Sequence, residues 1–400
     1  MTLILDLFAG PGGWSYALKV LGVRDIGLEW DEWACKTRAA AGLNTIRTDV
    51  AQYPTEPLIG KVHGLIASPP CQAWSKAGKR LGLKDQPLVH QAVADLATGR
   101  DTRAQLLAAC QDARSLLAAE PMRYLHALNQ HGQPDWIAME EVPDVLPLWR
   151  QYAHILRAWG WSVWTGLLNA ADYGVPQTRS RAILLASRIR TAEPPAPTHA
   201  QHPEPDSLFG PGRTRWISMA QALGWGATNR PVPTICAGSG NGGAEPWPSG
   251  SRRALATARD SGTWQRQPEE PRAPRRAASA RLPVPVEEPG TWRWSLRSNN
   301  QSNATVRSLD EPASTLFFGH RVNECRWVGE SAAAPATASV RITAQEAGVL
   351  QSFPADYPWQ GTKGRQFEQI GNAVPPRLAA HLLAPHLGAT FTQDDFDLAA

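Results

Sequence analysis

The chain has 400 residues, of which 42% are hydrophobic, so it can form two domains or one domain that carries a large insertion. Its five cysteines are far apart and contain no C-x-x-C pair, which argues against a disulfide framework, an oxidising compartment and a zinc site. With no apolar run near the roughly 18 residues of a membrane helix and no basic signal-peptide region, we expect a cytoplasmic protein with no metal and no membrane partner.

The N-terminal part of the chain predicts three strands separated by helices. Residues 3–8 are typical of a buried strand, and the glycine turn 9–13 leads into a helix over 14–21. Glycines at such a turn let the backbone approach a ligand closely, and nucleotide-binding α/β units begin in this way. Two further strands are predicted over 25–28 and 45–48.

The residues that follow these two strands suit an adenosine. An acid after the second strand, here Glu29 before Trp30, commonly accepts hydrogen bonds from ribose hydroxyls. Asp49 could accept from an adenine amino group while Val50 packs on the ring, although both acids could instead be ordinary helix N-caps. No Gly-Lys-Ser/Thr loop follows the strands, so the predicted cofactor carries no triphosphate.

A cysteine behind two prolines is the candidate nucleophile. Residues 64–67 are typical of a short buried strand, and Pro69 and Pro70 stiffen the chain where it leaves that strand. Cys71 is thereby presented at a strand's C-terminal end, where open α/β sheets bind ligands. Basic residues follow it, and positive charge lowers the pKa of a thiol. Residues 77–100 show little periodicity and predict a mobile active-site loop.

The next strand ends in two carboxylates and is followed by a hairpin with two arginines. The elements predicted here are a helix over 101–119, a strand over 136–139, a helix over 145–159, and strands over 161–168 and 182–186 that pair antiparallel. The first of these strands delivers Glu140 to the same layer as Cys71. Arg179 and Arg181 alternate, so they point to the same side if the chain is extended.

Residues 191–339 differ in character from the rest. Residues 191–206 hold five prolines and predict a linker, and no lysine occurs from there to residue 339. The Arg-rich, Pro-rich stretch 252–297 is either solvated disorder or a surface that contacts nucleic acid, because Arg suits phosphate and guanine.

Regular structure resumes near residue 340. Thr343 and Glu346 predict a capping box at the start of a helix that ends near 351–354. A second helix is predicted over 377–387, with prolines at its start, and the acidic end of the chain is predicted to fray.

Together these stretches resemble the S-adenosylmethionine-dependent cytosine-C5 DNA methyltransferases. The matching blocks occur in the family's order: 6–13, 29–30, 49–50, 69–72, 140–142, 177–181, 341–354 and 371–375. The resemblance implies an α/β fold with a Rossmann-like mixed seven-strand sheet (class I methyltransferase) and an inserted, mostly irregular or β target-recognition domain. It implies a catalytic, cofactor-binding domain at 1–190 plus 340–390, a target-recognition domain at 191–339 and a flexible tail at 391–400.

The resemblance also assigns roles to individual residues. The implied catalytic residues are Cys71, Glu140, Arg179 and Arg181; the cofactor-binding ones are Phe8, Ala9, Gly10, Gly12, Gly13, Glu29, Trp30, Asp49, Val50, Pro69, Asn372, Ala373 and Val374; the substrate-binding ones are Pro70, Gln72, Ser75, Gln177 and Thr315. Cys71 would add to C6 of a flipped-out cytosine, Glu140 would serve N3, and Arg181 would hold O2. The base that removes the C5 proton is not identified.

The chain departs from the family's usual Glu-Asn-Val, because Glu141 stands where the Asn normally does. A second acid either raises a carboxyl pKa and favours protonation of Glu140, or disturbs the loop. The resemblance implies a monomer that methylates double-stranded DNA in a bacterial nucleoid or as a phage protein, alone or with a cognate restriction endonuclease. The alternatives are a tRNA methyltransferase, disfavoured by the long Arg-rich segment, and a catalytically inactive DNA-binding relative, disfavoured by the intact Pro-Pro-Cys-Gln and Glu140.

Overall fold

A seven-stranded sheet organises the fold. The computed structural model describes residues 3–70, 74, 81–203, 205–207, 212–223, 292–298, 304–316, 325–331, 337–392 and 395–396. The strands up to residue 187 are β1 (Leu3–Leu7), β2 (Asp25–Glu29), β3 (Thr45–Arg47), β4 (Val62–Ala67), β5 (Trp136–Glu141), β6 (Ser162–Asn169), the short β7 (Gln177–Thr178) and β8 (Ser180–Ser187).

The order in the sheet is β3-β2-β1-β4-β5-β8-β6. The pairs from β3 to β5 are parallel, whereas β8 is antiparallel to both β5 and β6. This confirms the predicted mixed sheet and the antiparallel pairing of its last two strands. The order reverses beside β1, so the C-terminal ends of β1, β2 and β4 border the crevice where such sheets bind ligands.

Helices cover both faces of the sheet. They are α1 (Gly13–Val20), α2 (Glu32–Ala40), α3 (Leu81–Ala97), α4 (Arg103–Ala109), α5 (Glu120–Asn129), α6 (Leu146–Ala158), α7 (Met219–Leu223), α8 (Ala344–Leu350), α9 (Lys363–Asn372) and α10 (Pro376–Leu387). Side chains of β1 alternate between two cores: Ile4 packs with α1 and α10, while Leu5 and Leu7 pack with α3, α5 and α6. Because both faces are buried, the central strands are continuous apolar runs, and these were the strands that the sequence predicted well.

Two predictions between residues 77 and 119 need correction. From residue 81 onward the predicted mobile loop is wrong, because Leu81–Ala97 is a helix. Its buried face includes Asp85, which masks the apolar periodicity, and Pro87 lies on its exposed side. The helix predicted over 101–119 is broken at Cys110, because the buried carboxylate of Asp85 accepts the N–H groups of Gln111 (2.8 Å) and Asp112 (3.0 Å) there. Residues 113–119 then form a 3-10 helix.

The regular structure in the described part of residues 191–339 is mostly β-strand. It contains β9 (His199–Ala200), β10 (Thr214–Arg215), β11 (Trp292–Arg297), β12 (Val306–Ser308), β13 (Ala313–Ser314), β14 (Arg326–Ser331) and β15 (Thr337–Arg341), besides α7. Strands β12, β11, β14 and β15 form an antiparallel sheet. Strand β15 crosses the boundary predicted at residue 340. Most of the Arg-rich stretch 252–297 lies outside the described residues.

The C-terminal elements return to the start of the chain. The predicted capping box is confirmed, with the Thr343 hydroxyl on the Glu346 N–H and the Glu346 carboxylate on the Thr343 N–H. Helix α9 was not predicted, whereas α10 begins at Pro376 as expected and packs against α1. Phe396, in the predicted flexible tail, is buried, and its carbonyl accepts a hydrogen bond from the Tyr16 hydroxyl at 3.3 Å. Within the described residues, no helix combines the length and apolarity needed to cross a membrane.

Candidate active site

The glycine turn after β1 adopts a backbone that few residue types tolerate. Gly10 and Gly12 have φ of +53° and +106°, and Phe8 has φ of +61°, which is uncommon for a bulky side chain. Such strain persists where the surrounding structure enforces it, often at functional sites. The turn brings the Gly10 N–H to the carboxylate of Glu29, at 2.7 Å.

Glu29 and Trp30 form the next part of this edge of the sheet. The carboxylate of Glu29 accepts three backbone N–H groups, from Gly10, Trp30 (2.9 Å) and Asp31 (2.7 Å). Burial raises the pKa of Glu29, and the three hydrogen bonds oppose that rise. Trp30 is 73% exposed, although a Trp normally buries most of its surface. Its ring therefore offers a free stacking surface beside the glycine turn.

The segment after β3 is held through its backbone. The Asp49 carboxylate accepts the Ala51 N–H at 2.9 Å, and Val50 is buried. The carbonyl of Val50 accepts hydrogen bonds from Arg123 Nη2 and from the Tyr124 hydroxyl, each at 2.7 Å. The carbonyl of Ala51 likewise accepts from Arg103 Nη1 at 3.1 Å. Arg103, Arg123 and Tyr124 were not predicted from the sequence, because a side chain that hydrogen-bonds a distant backbone carbonyl belongs to no sequence motif.

Residues from the end of the chain complete this region. A Cβ on Gly13 would lie 2.1 Å from the carbonyl oxygen of Val374, so only glycine allows α1 to pack this closely on that segment. The Tyr357 hydroxyl donates to the carbonyl of Pro11 at 2.6 Å. Val374 and Ala373 are buried, whereas Asn372, the last residue of α9, is exposed. The predicted cofactor residues thus gather around the ends of β1, β2 and β3.

The segment leading to the predicted nucleophile leaves β4 beside β1. The Ser68 N–H donates to the carbonyl of Leu7 at 3.3 Å, and the Ser68 hydroxyl accepts from Trp14 Nε1 at 2.9 Å. Pro69 is buried and Pro70 is half-buried. Cys71, Gln72 and Ser75 lie outside the described residues, so their roles stay predictions.

A buried ion pair lies at the C-terminal end of β5. Arg181 Nε is 2.9 Å from Glu140 Oε1, and the two side chains are only 9% and 6% exposed. The antiparallel pairing of β5 with β8 brings them together, because Glu140 lies opposite Ile183, two residues beyond Arg181. Strand β5 neighbours β4, so this pair is delivered next to the strand that leads to Cys71.

Glu141 occupies a different environment from Glu140. It is 1% exposed, and one carboxyl oxygen accepts the Val142 N–H while the other has no hydrogen-bond partner. Burial, and then the charge of Glu140, raise the pKa of Glu141 well above its usual range. Burial therefore favours the neutral form of this second acid.

The remaining predicted residues, Arg179, Gln177 and Thr315, donate hydrogen bonds to backbone carbonyls of neighbouring segments. Arg179 is buried, and its Nη1 donates to the carbonyl of Gly371 at 3.0 Å. Gln177 is buried and its amide donates to the carbonyl of Leu350 at 3.5 Å. Thr315 donates its hydroxyl to the carbonyl of Thr178 at 3.0 Å, where β13 pairs with β7. The predicted catalytic and substrate-binding roles of these three residues are neither confirmed nor contradicted by these contacts.

A seven-strand sheet in the order β3-β2-β1-β4-β5-β8-β6, in which only β8 is antiparallel to its neighbours, is the fold of the class I methyltransferases. Solved structures agree on the fold: S. pombe Dnmt2 methyltransferase aligns with a TM-score of 0.51 at 13% identity, covering 97% of this chain and 99% of that one. A DNA modification methyltransferase encoded within an E. coli prophage aligns with a TM-score of 0.50 at 18% identity, over 97% and 99% of the two chains.

The profile of the C-5 cytosine-specific DNA methylase family matches residues 2–92, 107–235 and 245–386, so the chain belongs to that family. Curated relatives include the Type II methyltransferase M.DdeI of Desulfomicrobium norvegicum, 26% identical over 95% of this chain and 87% of its own. M.Eco47II of Escherichia coli is 25% identical over 94% of this chain and 76% of its own. The protein is thus an enzyme that methylates cytosine C5 in DNA.

Proposed function

We propose that the enzyme transfers a methyl group from S-adenosylmethionine to a cytosine that is flipped out of a specific duplex sequence. The observation that carries this is the buried Glu140–Arg181 pair, 2.9 Å apart, on the strand next to the one that leads to Cys71. An acid and its guanidinium at this position suit the ring nitrogen and carbonyl of a cytosine, which present an acceptor pair.

The described residues fit an adenosine cofactor at the ends of β1, β2 and β3. Glu29 would hold the ribose hydroxyls, exposed Trp30 and buried Val50 would flank the adenine, and Asp49 would accept from its amino group. Glu29 can accept from a ribose hydroxyl in addition to its three backbone N–H groups, because a carboxylate has about four lone-pair sites. The cofactor, when bound, supplies an electrophilic methyl group at its sulfonium.

The protein supplies the activation of the base. The Cys71 thiolate adds to C6, forming a C–S bond and making C5 a nucleophilic enamine carbon. Glu140 must first take up a proton from solvent, which it then shares with or donates to N3 as charge develops, a contribution of about 10²–10⁴-fold. The proton returns to Glu140 when the ring regains its aromatic form. Arg181 fixes the orientation of Glu140 and donates to O2 of the ring. After methylation, loss of the C5 proton and breakage of the C–S bond release Cys71.

Target choice is proposed for residues 191–339, with the catalytic domain formed by 1–190 and 340–390. Strand β13 of this segment, which is separate from the four-stranded sheet, pairs with β7 just before Arg179 and Arg181. Bases bound by that segment would thus lie next to the reacting cytosine. The named relatives are Type II methyltransferases, which supports a cognate restriction endonuclease that cleaves the same site. We further propose that the enzyme acts on DNA as a monomer in the cytoplasm.

Covalent trapping tests the proposal. A duplex library carrying 5-fluorocytosine is incubated with protein and S-adenosylmethionine, because fluorine at C5 cannot leave as a proton and the C–S bond persists. We expect a denaturation-resistant adduct with the wild type and none with Cys71→Ala. Cys110→Ala is the matched control and should still be trapped. An adduct with Cys71→Ala, or labelling of tRNA rather than DNA from tritiated cofactor, would contradict the proposal.

A further inference from the structure

A fully buried arginine lies beneath the glycine turn. Arg38, on α2, is 0% exposed. Its guanidinium contacts four acceptors on three segments: Nε donates to Thr45 Oγ1 (2.8 Å), Nη1 to Ser15 Oγ (2.9 Å) and the Ala9 carbonyl (3.3 Å), and Nη2 to the Asn44 carbonyl (2.9 Å). A Cβ on Gly27 would lie 2.2 Å from Nη2, so β2 carries glycine where the guanidinium crosses it.

The segments joined by Arg38 are those that carry the proposed cofactor residues. Ala9 belongs to the glycine turn whose Gly10 N–H faces Glu29. Asn44 and Thr45 begin β3, which ends two residues before Asp49. One rigid side chain therefore sets the distance between the turn and β3, because the planar fork fixes the directions of its donors.

The charge of Arg38 is balanced locally. Asp25 Oδ2 lies 3.8 Å from Nη2 and also accepts from the Ser15 hydroxyl at 2.6 Å. Asp6 is also fully buried, and neither of its carboxyl oxygens accepts a hydrogen bond. Burial, and then the charge of Asp25, raise the pKa of Asp6 well above its usual range, which favours the neutral form of Asp6.

We propose that Arg38 is a positioning residue for the cofactor site, which holds the glycine turn and the start of β3 at the spacing that S-adenosylmethionine requires. The proposal rests on the cofactor site proposed above. Stability alone does not account for the arrangement, because a buried ion pair is often replaceable by well-packed apolar groups without loss. An apolar side chain could not, however, hold the carbonyls of Ala9 and Asn44.

Calorimetry of S-adenosylmethionine and S-adenosylhomocysteine binding tests this proposal with three variants. Arg38→Lys keeps the charge but loses the fork, and Arg38→Met/Asp25→Asn removes the charge pair without leaving a buried ion. Arg24→Met, at an exposed arginine just before β2, is the matched control. Because both Arg38 variants lose hydrogen bonds between a charged group and the segments it joins, we expect Kd to rise about 10-fold or more in each and to stay unchanged in the control.

Kinetics separate positioning from general damage. Thermal unfolding first establishes that each variant is folded; should the double variant not fold, Arg38→Lys decides alone. The KM for S-adenosylmethionine should rise with Kd, while kcat at saturating cofactor and the affinity for DNA stay within about twofold of the wild type. Unchanged cofactor affinity in a folded Arg38 variant, or a fall in kcat with unchanged KM, would overturn the role of Arg38. Failure of the wild type to bind either ligand would instead overturn the cofactor site itself.

Discussion

Removing Arg181 should cost stability as well as activity, and the two effects should be separable. The Glu140 carboxylate is 6% exposed, so Arg181→Met would leave it in a site that excludes water. Breaking a buried pair from one side costs about 3–5 kcal/mol, because the remaining charge is uncompensated. The backbone contact of Arg181 Nη1 with the Ser180 carbonyl, at 2.7 Å, is lost as well. We therefore expect the free energy of unfolding to fall by about 3 kcal/mol or more.

The double variant Arg181→Met/Glu140→Gln tests whether the charges of the two side chains are coupled. Neither side chain is then charged, so the stability should return to within about 1 kcal/mol of the wild type, whereas Glu140→Gln alone leaves a buried guanidinium. Methyl transfer should remain at least about 10²-fold reduced in all three variants, because the group that serves N3 is lost or misplaced.

Urea unfolding and transfer of tritiated methyl groups to DNA provide the two readouts. Arg365→Met is the control, because Arg365 and its partner Glu368 are about half exposed and such a pair is worth about 0–1 kcal/mol. Additive losses in the double variant, within about 0.5 kcal/mol of the sum of the single ones, would refute the coupling of Glu140 and Arg181.

Three further predictions follow from the site. Because folding raises the pKa of Glu141 above its usual 4.5, the folded state binds its proton more tightly than the unfolded state does. The stability of the wild type should therefore fall with rising pH relative to that of Glu141→Gln, by up to about 1.4 kcal/mol per pH unit, in urea unfolding from about pH 5 to 8. The same pH dependence in both proteins would contradict this. Gly13→Ala should cost about 1–3 kcal/mol and weaken cofactor binding in calorimetry, because its Cβ meets the Val374 carbonyl, whereas Gly364→Ala, with open space, should be neutral; equal effects would refute the packing argument. Exchanging residues 191–339 for those of a relative should transfer the methylated sequence, as read by bisulfite sequencing; an active chimera that keeps the original site would refute the domain division.

The parts of the fold that the sequence revealed are those with a strong local signal. Parallel strands buried on both faces appear as apolar runs, and the glycine turn of residues 9–13 appears as a break between a strand and a helix. Helix α3 lacked such a signal, because Asp85 occupies a buried position that an apolar residue would usually fill. The Asp85 carboxylate accepts the N–H groups of Gln111 and Asp112, and this contact depends on the tertiary structure.

The same distinction applies to the site. Glu140 and Arg181 were predictable as residue types at strand ends, but their contact depends on the register of β5 against β8, which no local pattern encodes. Arg38, Arg103 and Arg123 were missed, because each acts on backbone carbonyls far away in the sequence. The effect of Glu141 was left open by the sequence, because the burial that raises its pKa depends on the tertiary structure.

The contacts of the glycine turn with the end of the chain bear on how the enzyme is made in the cell. The turn leaves the ribosome long before Tyr357 and Val374, which contact it in the folded enzyme. A nascent chain thus carries the proposed nucleophile and the Glu140–Arg181 pair long before the cofactor site can close. Methylation should begin only after Tyr357 and Val374 have been synthesised, so a transcript cut short before them would yield protein without activity rather than an enzyme of altered specificity.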